Sequence, residues 1–475
     1  MNHSVGIRAV TSSYPSKINP NRIVPRSAKM ISMIPWPRNL MVRNLMVRTA
    51  LTLTLASSIV GDIPAVRAQS IPMLPGYLPE KKHKIKDKFP ERPSQPPSFT
   101  IPVGPFGYAP PGSTYLGRGF SLVNLNFLDE NRLLFSFRAP GLLQRETTQD
   151  EPEHERQMRA VVLKLPDGTR ESETVWTLSD LKPYLWMLKD GHYLLHDRSG
   201  LEEGDASLQL KPYLPLAEKL ISIEIDPGRN YLLVSSLAPP GTSEKQISGN
   251  TLKSKDSSEP AKPTDVVVRL LQLKSAQTIQ IKRERAATQT PFNSMGYLEA
   301  VHEKLDQWSL KLNAFGGESK AIGHVESTCL TNSFFLSEHE ILVAGCDPDH
   351  RWKLTAVTTD WRQIWEFPLP NLVVPPLFQI AANGSRFARE TISLKQTPQA
   401  DSETLWVKDV RGQVVRVFDA ADGKLALEQP VDPVLDAGGN VAISPSGRRV
   451  AVLNKGAIEV FDLPTPAPLP DDVIH

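Results

Sequence analysis

One phrase recurs along this 475-residue sequence: a run of alternating apolar residues, a polar turn, and a second apolar run. It occupies residues 125–137, 221–234 and 441–453. Each copy has the pattern of a β-hairpin, because alternation places apolar side chains on one face of each strand and the turn residues reverse the chain. A hairpin unit that repeats along a chain is typical of a β-propeller, and the sequence therefore predicts this architecture.

From Tyr115 onward the sequence divides into seven units of about 50 residues, each with a predicted inner and, in most units, a predicted outer hairpin. Asp-Gly and Asn-Gly pairs in several turns favour hairpins, since these residues accept positive φ angles. Inner turns are predicted at residues 129–131, 189–191, 226–228, 304–306, 337–339, 382–384 and 445–447. Outer turns are predicted at residues 166–168, 274–276, 359–361 and 421–423.

The predicted fold is all-β, a seven-bladed β-propeller over residues 98–463. The seventh unit lacks its outermost strand, because Pro464 ends the pattern. Residues 98–103 are predicted to supply that strand and close the ring, with Pro102 indicating an edge position. The alternative fold is a pair of β-sandwich domains, which would also contain short strands and polar turns.

The N-terminal region has the features of a signal peptide. Arg43 and Arg48 precede an apolar stretch at residues 49–60, and small residues at 66–68 fit a cleavage site before Gln69. We therefore predict a signal peptide region at 1–68, with translation starting at Met1 or instead at Met41 or Met46. A Pro-rich, basic and disordered linker at 69–97 and a Pro-rich tail at 464–475 are predicted to flank the propeller, in a secreted or periplasmic protein.

The charge of the mature chain differs from that of the whole sequence. The formal net charge is +2, but residues 1–68 hold nine Lys or Arg and one Asp, so their removal leaves 45 basic and 51 acidic residues, about −6. This acidic balance argues against nucleic acid as a partner. No uninterrupted apolar stretch reaches the ~18 residues that span a bilayer, so no transmembrane segment is predicted in the mature chain.

The two cysteines are placed to pair. Cys329 and Cys346 flank a predicted hairpin at nearly equal distances from its turn at 337–340. Residues at matched positions on opposite strands come within the reach of a disulfide, and an exported protein meets an oxidising compartment. We predict a structural disulfide; the alternative is two buried free thiols.

No local catalytic motif is found in the sequence. It contains no G-x-S-x-G elbow, no H-E-x-x-H, no P-loop and no G-x-G-x-x-G. The sequence thus predicts no cofactor, no metal site and no particular catalytic residue. A site assembled from strand ends of different blades would leave no such motif, so whether the protein is an enzyme stays open.

The last hairpin carries a family resemblance. Residues 443–452 read Ile-Ser-Pro-Ser-Gly-Arg-Arg-Val-Ala-Val, and a third strand follows at 458–463. This wording resembles the WD-repeat-like and quinoprotein-like propellers of exported bacterial proteins, in a family without an assigned activity. The Gly-His and Trp-Asp pairs of true WD repeats and the tryptophan-docking motifs of quinone-dependent dehydrogenases are missing, so the resemblance implies a propeller fold and no specific reaction.

Candidate binding residues are predicted where second strands end, since a rigid scaffold would aim them at the mouth of the central channel. Their mixed charges suit a protein partner or a small polar or carbohydrate ligand at the propeller face. The alternative role is ion pairing between blades. We therefore predict a ligand- or protein-binding scaffold of the bacterial envelope, the alternative being a propeller enzyme, either a quinoprotein-like oxidoreductase or a hydrolase. The candidates are Arg138, His196, Asp197, Arg198, Asn313, Asp347, Arg389 and Glu390.

Overall fold

The computed structural model describes most of the chain from residue 93 to residue 466 and is almost entirely β-structure. Two short 3-10 helices, Gly104–Phe106 and Val407–Asp409, accompany the strands. In the described part of the chain no helix is long and apolar enough to cross a bilayer. The predicted signal peptide region and most of the linker lie outside the described residues. The described residues are 93–110, 115–117, 123–138, 156–178, 184–197, 200–216, 220–237, 266–284, 291–315, 317–329, 331–349, 351–369, 377–395, 404–435 and 439–466.

The strands form seven blades of a β-propeller, which confirms the predicted fold class. Strands β1 (Phe99–Pro102) and β2 (Tyr115–Gly117) precede blade 1, which contains β3 (Val123–Asp129), β4 (Arg132–Arg138), β5 (Arg156–Lys164) and β6 (Thr169–Leu178). Blade 2 contains β7 (Leu185–Met187), β8 (Tyr193–Asp197), β9 (Gly200–Gly204) and β10 (Lys211–Pro215). Blade 3 contains β11 (Leu220–Ile225), β12 (Tyr231–Leu237), β13 (Val266–Gln272) and β14 (Gln277–Glu284). Blade 4 contains β15 (Gly296–Lys304), β16 (Gln307–Ala314) and β17 (Ser319–Glu326).

Three further blades complete the ring. Blade 5 contains β18 (Asn332–Phe335), β19 (Glu340–Cys346), β20 (Trp352–Thr358) and β21 (Gln363–Pro368). Blade 6 contains β22 (Leu377–Ile380), β23 (Arg386–Leu394), β25 (Val410–Asp419) and β26 (Leu425–Val431), while β24 (Thr404–Trp406) pairs with β2 in a separate two-stranded sheet. Blade 7 contains β27 (Val441–Ile443), β28 (Arg449–Asn454) and β29 (Ala457–Asp462).

The predicted turns match the observed hairpins closely. Six of the seven inner turns join the first and second strands of a blade, and all four outer turns join the third and fourth. Gly384 shows why the turn sequence matters: its φ is 72°, and a Cβ there would lie 2.5 Å from the carbonyl oxygen of Leu336 in blade 5. We call the side of the ring that carries the inner turns the inner-turn face.

In blade 4 the predicted inner turn at residues 304–306 is wrong. Residues 304–306 do join two strands, β15 and β16, but these occupy the second and third positions of the blade. The innermost position is occupied by the short segment 291–293, which is not a strand but turns back through an isolated bridge between Phe292 and Tyr297 and a hydrogen bond from Leu298 N to Pro291 O of 2.8 Å. Three residues are too few to display alternation, so the sequence pattern skips this segment.

The N-terminal strand closes the ring, as predicted. Strand β1 pairs antiparallel with β29 in the order β1-β29-β28-β27, which makes β1 the outermost strand of blade 7. Pro102 lies on this edge, where its missing N–H breaks no ladder. Ile101 of β1 is 4% exposed and belongs to an apolar layer that packs blade 7 against blade 1.

The disulfide between Cys329 and Cys346 is confirmed, with the Cα atoms 5.5 Å apart. It ties the connector after β17 to the end of β19, so it joins blade 4 to blade 5. Ser327 reinforces the junction: its Oγ accepts from the Cys346 N–H at 2.9 Å and donates to the Cys329 carbonyl at 2.8 Å. For a loop of this size the bond contributes ~3 kcal/mol in the chain-entropy picture.

Candidate functional site

A cavity of about 440 Å³ lies at the hub of the ring, where all seven blades contribute to its wall. We call it the hub cavity. It opens among residues at the ends of the first strands and in the inner turns, so it belongs to the inner-turn face. Its size is within the range of about 300–1,000 Å³ that is usual for small-molecule sites.

Aromatic side chains dominate the wall of the hub cavity. They come from blades 1, 2, 4, 5 and 6, and the rings of Phe334 and Phe378 meet across the junction of blades 5 and 6 with centroids 5.1 Å apart. Such a wall offers a ligand large apolar contact areas at little cost in side-chain entropy. The aromatic residues are Phe127, Trp186, Phe292, Phe334, Phe335 and Phe378.

Polar groups are few in the wall, and blade 3 supplies both carboxylates, Glu224 and Asp226. Asp226 is 1% exposed. Its Oδ1 accepts from the backbone N–H groups of Asn230 and Tyr231 at 2.7 and 2.6 Å, which fixes the inner turn of blade 3. Its Oδ2 has no hydrogen-bond partner among the described residues, and burial raises the pKa of the Asp226 carboxyl.

One guanidinium, that of Arg229, also reaches the wall. Its Nη1 donates to the Leu188 carbonyl of blade 2 at 2.8 Å, and burial lowers the pKa of Arg229 while the Asp226 charge raises it. Two amides, those of Asn126 and Gln379, complete the polar lining. Among the described lining residues there is no Ser, Cys, His or Lys.

Hydrogen bonds between inner turns hold the rim of the hub cavity. From blade 6 to blade 7, Asn383 Nδ2 donates to the Ser446 carbonyl at 3.0 Å. From blade 7 to blade 1, the Ser446 N–H donates to Glu130 Oε1 and Arg449 Nη1 donates to the Glu130 carbonyl, both at 2.8 Å.

The same arrangement continues on the other side of the ring. Lys189 Nζ of blade 2 donates to Asn230 Oδ1 of blade 3 at 2.8 Å. In blade 4, Asn293 Nδ2 donates to the Glu338 carbonyl of blade 5 at 2.9 Å, and Ser294 Oγ donates to Glu338 Oε2 at 2.6 Å. Because neighbouring turns are tied in this way, the rim of the hub cavity is held in one geometry.

The residues singled out from sequence lie elsewhere, and none of the described ones lines the hub cavity. Arg138 is exposed at the end of β4. His196 is buried in β8, with its N–H donating to the Tyr184 carbonyl at 2.8 Å, and Asp197 follows it at the end of the strand. Arg198 lies outside the described residues.

Asn313 and Asp347 lie on different faces. Asn313 is near the end of β16, which lies in the third position of blade 4 and runs toward the inner-turn face, and its Nδ2 donates to Glu299 Oε2 at 3.2 Å. Asp347 follows β19 at the opposite face, where it binds the Arg351 guanidinium at 2.7 Å. Burial alone would raise the pKa of Asp347, but hydrogen bonds from the Arg351 backbone and side chain hold it below its usual range.

Arg389 and Glu390 are neighbours on β23 that point to opposite sides of blade 6. The Arg389 guanidinium lies 5.8 Å from the Phe367 ring of blade 5 and 5.1 Å from the Phe418 ring. Glu390 faces blade 7 and accepts from Gln413 Nε2, while the Asn440 amide, with its nitrogen turned to the carboxylate, donates to Glu390 Oε2 at 2.6 Å. Both residues are 3% exposed and pack between blades, Arg389 against aromatic rings and Glu390 against side-chain amides.

No protein-family model matches the sequence, and no curated protein matches it. Among solved structures it is similar to the uncomplexed acylaminoacyl peptidase of Pyrococcus horikoshii, with 11% identity, a TM-score of 0.42, and 73% of this chain and 53% of that chain covered. The β-propeller domain of the Trilobed protease from Pyrococcus furiosus gives 11% identity, a TM-score of 0.39, and 72% and 95% coverage. TolB from Acinetobacter baumannii gives 10% identity, a TM-score of 0.36, and 65% coverage of each chain.

These similarities concern the fold alone. The chain spans about half the length of the Pyrococcus horikoshii peptidase. What the fold and the site define is a class: a seven-bladed β-propeller, closed by its N-terminal strand, with an aromatic hub cavity at its inner-turn face.

Proposed function

We propose that this protein is a ligand-binding module whose ligand occupies the hub cavity. One observation carries the proposal: rings from five blades converge on a cavity of about 440 Å³. Binding sites for small molecules are concave and mostly apolar, with a few polar groups that orient the ligand. The hub cavity has this composition, and hydrogen-bonded turns surround it.

The test compares two substitutions within blade 6. Ala382 and Ala421 are both half-buried, and each begins a three-residue turn that ends in Gly, but only Ala382 lines the hub cavity. We expect the wild type and Ala421→Trp to bind the neutral apolar dye 1-N-phenylnaphthylamine saturably, one molecule per chain, by fluorescence titration. Ala382→Trp should weaken this binding at least tenfold, because the indole fills the mouth of the hub cavity.

Either of two results would contradict the proposal: no saturable binding by the wild type, or equal binding by both variants. Circular dichroism and thermal melts of the two variants serve as the folding control, since both substitutions enlarge a turn residue of the same blade.

We further propose that the protein is exported to the bacterial envelope. The disulfide between Cys329 and Cys346 supports this, since such bonds persist in oxidising compartments, and so does the signal-peptide pattern ending before Gln69. N-terminal sequencing of the protein from a periplasmic extract should begin at Gln69. Recovery from the cytoplasm with an intact N-terminus would contradict export.

A further inference from the structure

We propose that the hub cavity selects organic cations, in which an ammonium group is attached to a compact apolar body. This inference rests on the proposed function of the hub cavity as a ligand site and adds the charge of the ligand. Three features of the wall carry it: the aromatic side chains, the two carboxylates of blade 3, and the hydrogen bond that the single guanidinium makes to blade 2.

The aromatic wall suits both parts of such a ligand. Phe127, Trp186 and Phe378 come from three different blades, so an enclosed body meets rings on several sides. An ammonium group is attracted to the faces of aromatic rings, most strongly to that of Trp, and this attraction grows where water is excluded. A neutral body gains only the apolar contacts, and an anion is repelled by the same ring faces.

The carboxylates of blade 3 give the wall of the hub cavity negative charge. Glu224 and Asp226 are two residues apart in blade 3 and both line the hub cavity. Asp226 Oδ1 is used by the turn, while the buried Oδ2 accepts no hydrogen bond from the described residues. A buried carboxylate oxygen without a donor is costly, and an ammonium N–H supplies both the donor and the opposite charge.

The cationic residue of the wall, Arg229, does not donate a hydrogen bond to Asp226 Oδ2. Arg229 lines the cavity and is attracted by the Asp226 charge, but its Nη1 donates to the Leu188 carbonyl, and Asp226 Oδ2 has no hydrogen-bond partner among the described residues. Two further charges act on Asp226 from other turns: Lys189 of blade 2 lowers its pKa and Glu338 of blade 5 raises it. The lining therefore holds two carboxylates and one guanidinium.

The experiment uses three probes of one size and different charge: phenethylammonium, 2-phenylethanol and phenylacetate. Each is titrated at pH 7 against the full chain preloaded with 1-N-phenylnaphthylamine, and displacement of the dye gives the affinity. We expect phenethylammonium to bind at least fivefold more tightly than the alcohol and phenylacetate to bind most weakly.

Asp226→Asn is the matched variant, because its side-chain oxygen still accepts from the N–H groups of Asn230 and Tyr231. The ratio of phenethylammonium affinity to 2-phenylethanol affinity should fall about tenfold, as expected when a charged hydrogen bond is lost. In the wild type the same ratio should fall as the pH drops through the raised pKa of Asp226, because the protonated acid no longer attracts a cation. The wild-type titrations alone keep the inference testable if the variant does not fold.

The outcomes separate the two proposals. If the dye binds but the three probes displace it equally, or phenylacetate binds best, the cation inference is wrong and the ligand site stands. If the dye itself does not bind, the proposed function fails and the inference fails with it.

Discussion

Buried carboxylates in this propeller differ in the donors that surround them. Glu390 accepts from Gln413 and from the amide nitrogen of Asn440, so its charge is compensated by hydrogen bonds. Asp226 uses one oxygen to fix a turn and leaves the other without a donor. Glu340, at the start of β19, is 5% exposed, and its Oε2 has no partner among the described residues. The environment of Glu390 stabilises a charged carboxylate, whereas those of Asp226 and Glu340 destabilise one.

The buried carboxyl of Glu340 makes the free energy of unfolding depend on pH. Burial raises the pKa of Glu340, and a side-chain hydrogen bond with Ser337 only partly opposes this. The folded state therefore holds the proton at pH values where the unfolded chain has lost it, so stability falls as pH rises from the unfolded pKa to the folded one. Glu340→Gln should raise the free energy of unfolding at pH 7 by about 1 kcal/mol.

Urea denaturation at a series of pH values checks this. The difference between Glu340→Gln and the wild type should shrink as the pH falls toward 4, where folded wild-type Glu340 is protonated. Glu326→Gln, at an exposed position of β17, is the control and should change stability little at either pH. A loss of stability in Glu340→Gln at pH 7 would contradict the assignment.

Local sequence patterns predict the hairpins of the blades and miss the short innermost segment of blade 4. Asp-Gly, Asn-Gly or Ser-Gly pairs mark five of the ten correctly predicted turns, and the alternating runs on both sides locate the other five, so both signals are local. In blade 4 residues 291–293 lie innermost with a single bridge, and the longer β15–β16 hairpin matches the pattern of an inner hairpin instead. The pattern therefore places Asn313 on a second strand, whereas it lies on β16, in the third position.

The outer strand of blade 4 depends on a residue of blade 5. Trp361, in the outer turn of blade 5, covers Gly323 of β17 so closely that a Cβ there would lie 1.8 Å from Trp361 Cδ2. Gly323→Ala should therefore displace the indole and lower the free energy of unfolding by about 1–3 kcal/mol. Gly104→Ala is the control, because an added Cβ there meets nothing within 4 Å, and its effect should stay within about 0.5 kcal/mol.

Guanidinium denaturation of both variants measures the difference. Near-ultraviolet circular dichroism provides a second signal, because movement of Trp361 alters its asymmetric environment. Equal stability of the two variants would show that the indole is not held against β17.

At the scale of the whole molecule, the ring and its cavity depend on contacts between blades that no single segment encodes. Asn126, Glu224 and Gln379 lie in three separate first strands, and only closure of the ring brings them to one wall. The sequence pattern predicts binding residues at the ends of second strands, since a rigid scaffold would hold those positions. The sizes of side chains from all seven blades decide which end of the channel forms a cavity. A local sequence pattern does not predict how these side chains fit together.

Ring closure predicts long-range cooperativity. Deleting residues 99–102 removes β1 and leaves β29 without its partner. Without β1 the ring opens between blades 7 and 1. We therefore expect faster amide exchange in every blade, including blades 3 and 4 on the far side. A linear repeat array would respond only in the neighbouring repeats.

Hydrogen–deuterium exchange with mass spectrometry checks this, blade by blade. Thr100→Ala, an exposed change within the same strand, is the control and should leave the exchange pattern as it is. Faster exchange confined to blades 7 and 1 would contradict cooperative closure.

The pairing of β1 with β29 also fixes the order of events during biosynthesis. Phe99 leaves the ribosome or the translocation pore before any blade, and Val460, the residue that it pairs with, emerges after the residues of the other six blades. Among the described strands the first to be made therefore pairs with the last, and Ile101 lacks its apolar neighbours in blade 7 until then. Until β29 is released the ring cannot close, and the wall of the hub cavity, to which all seven blades contribute, is incomplete.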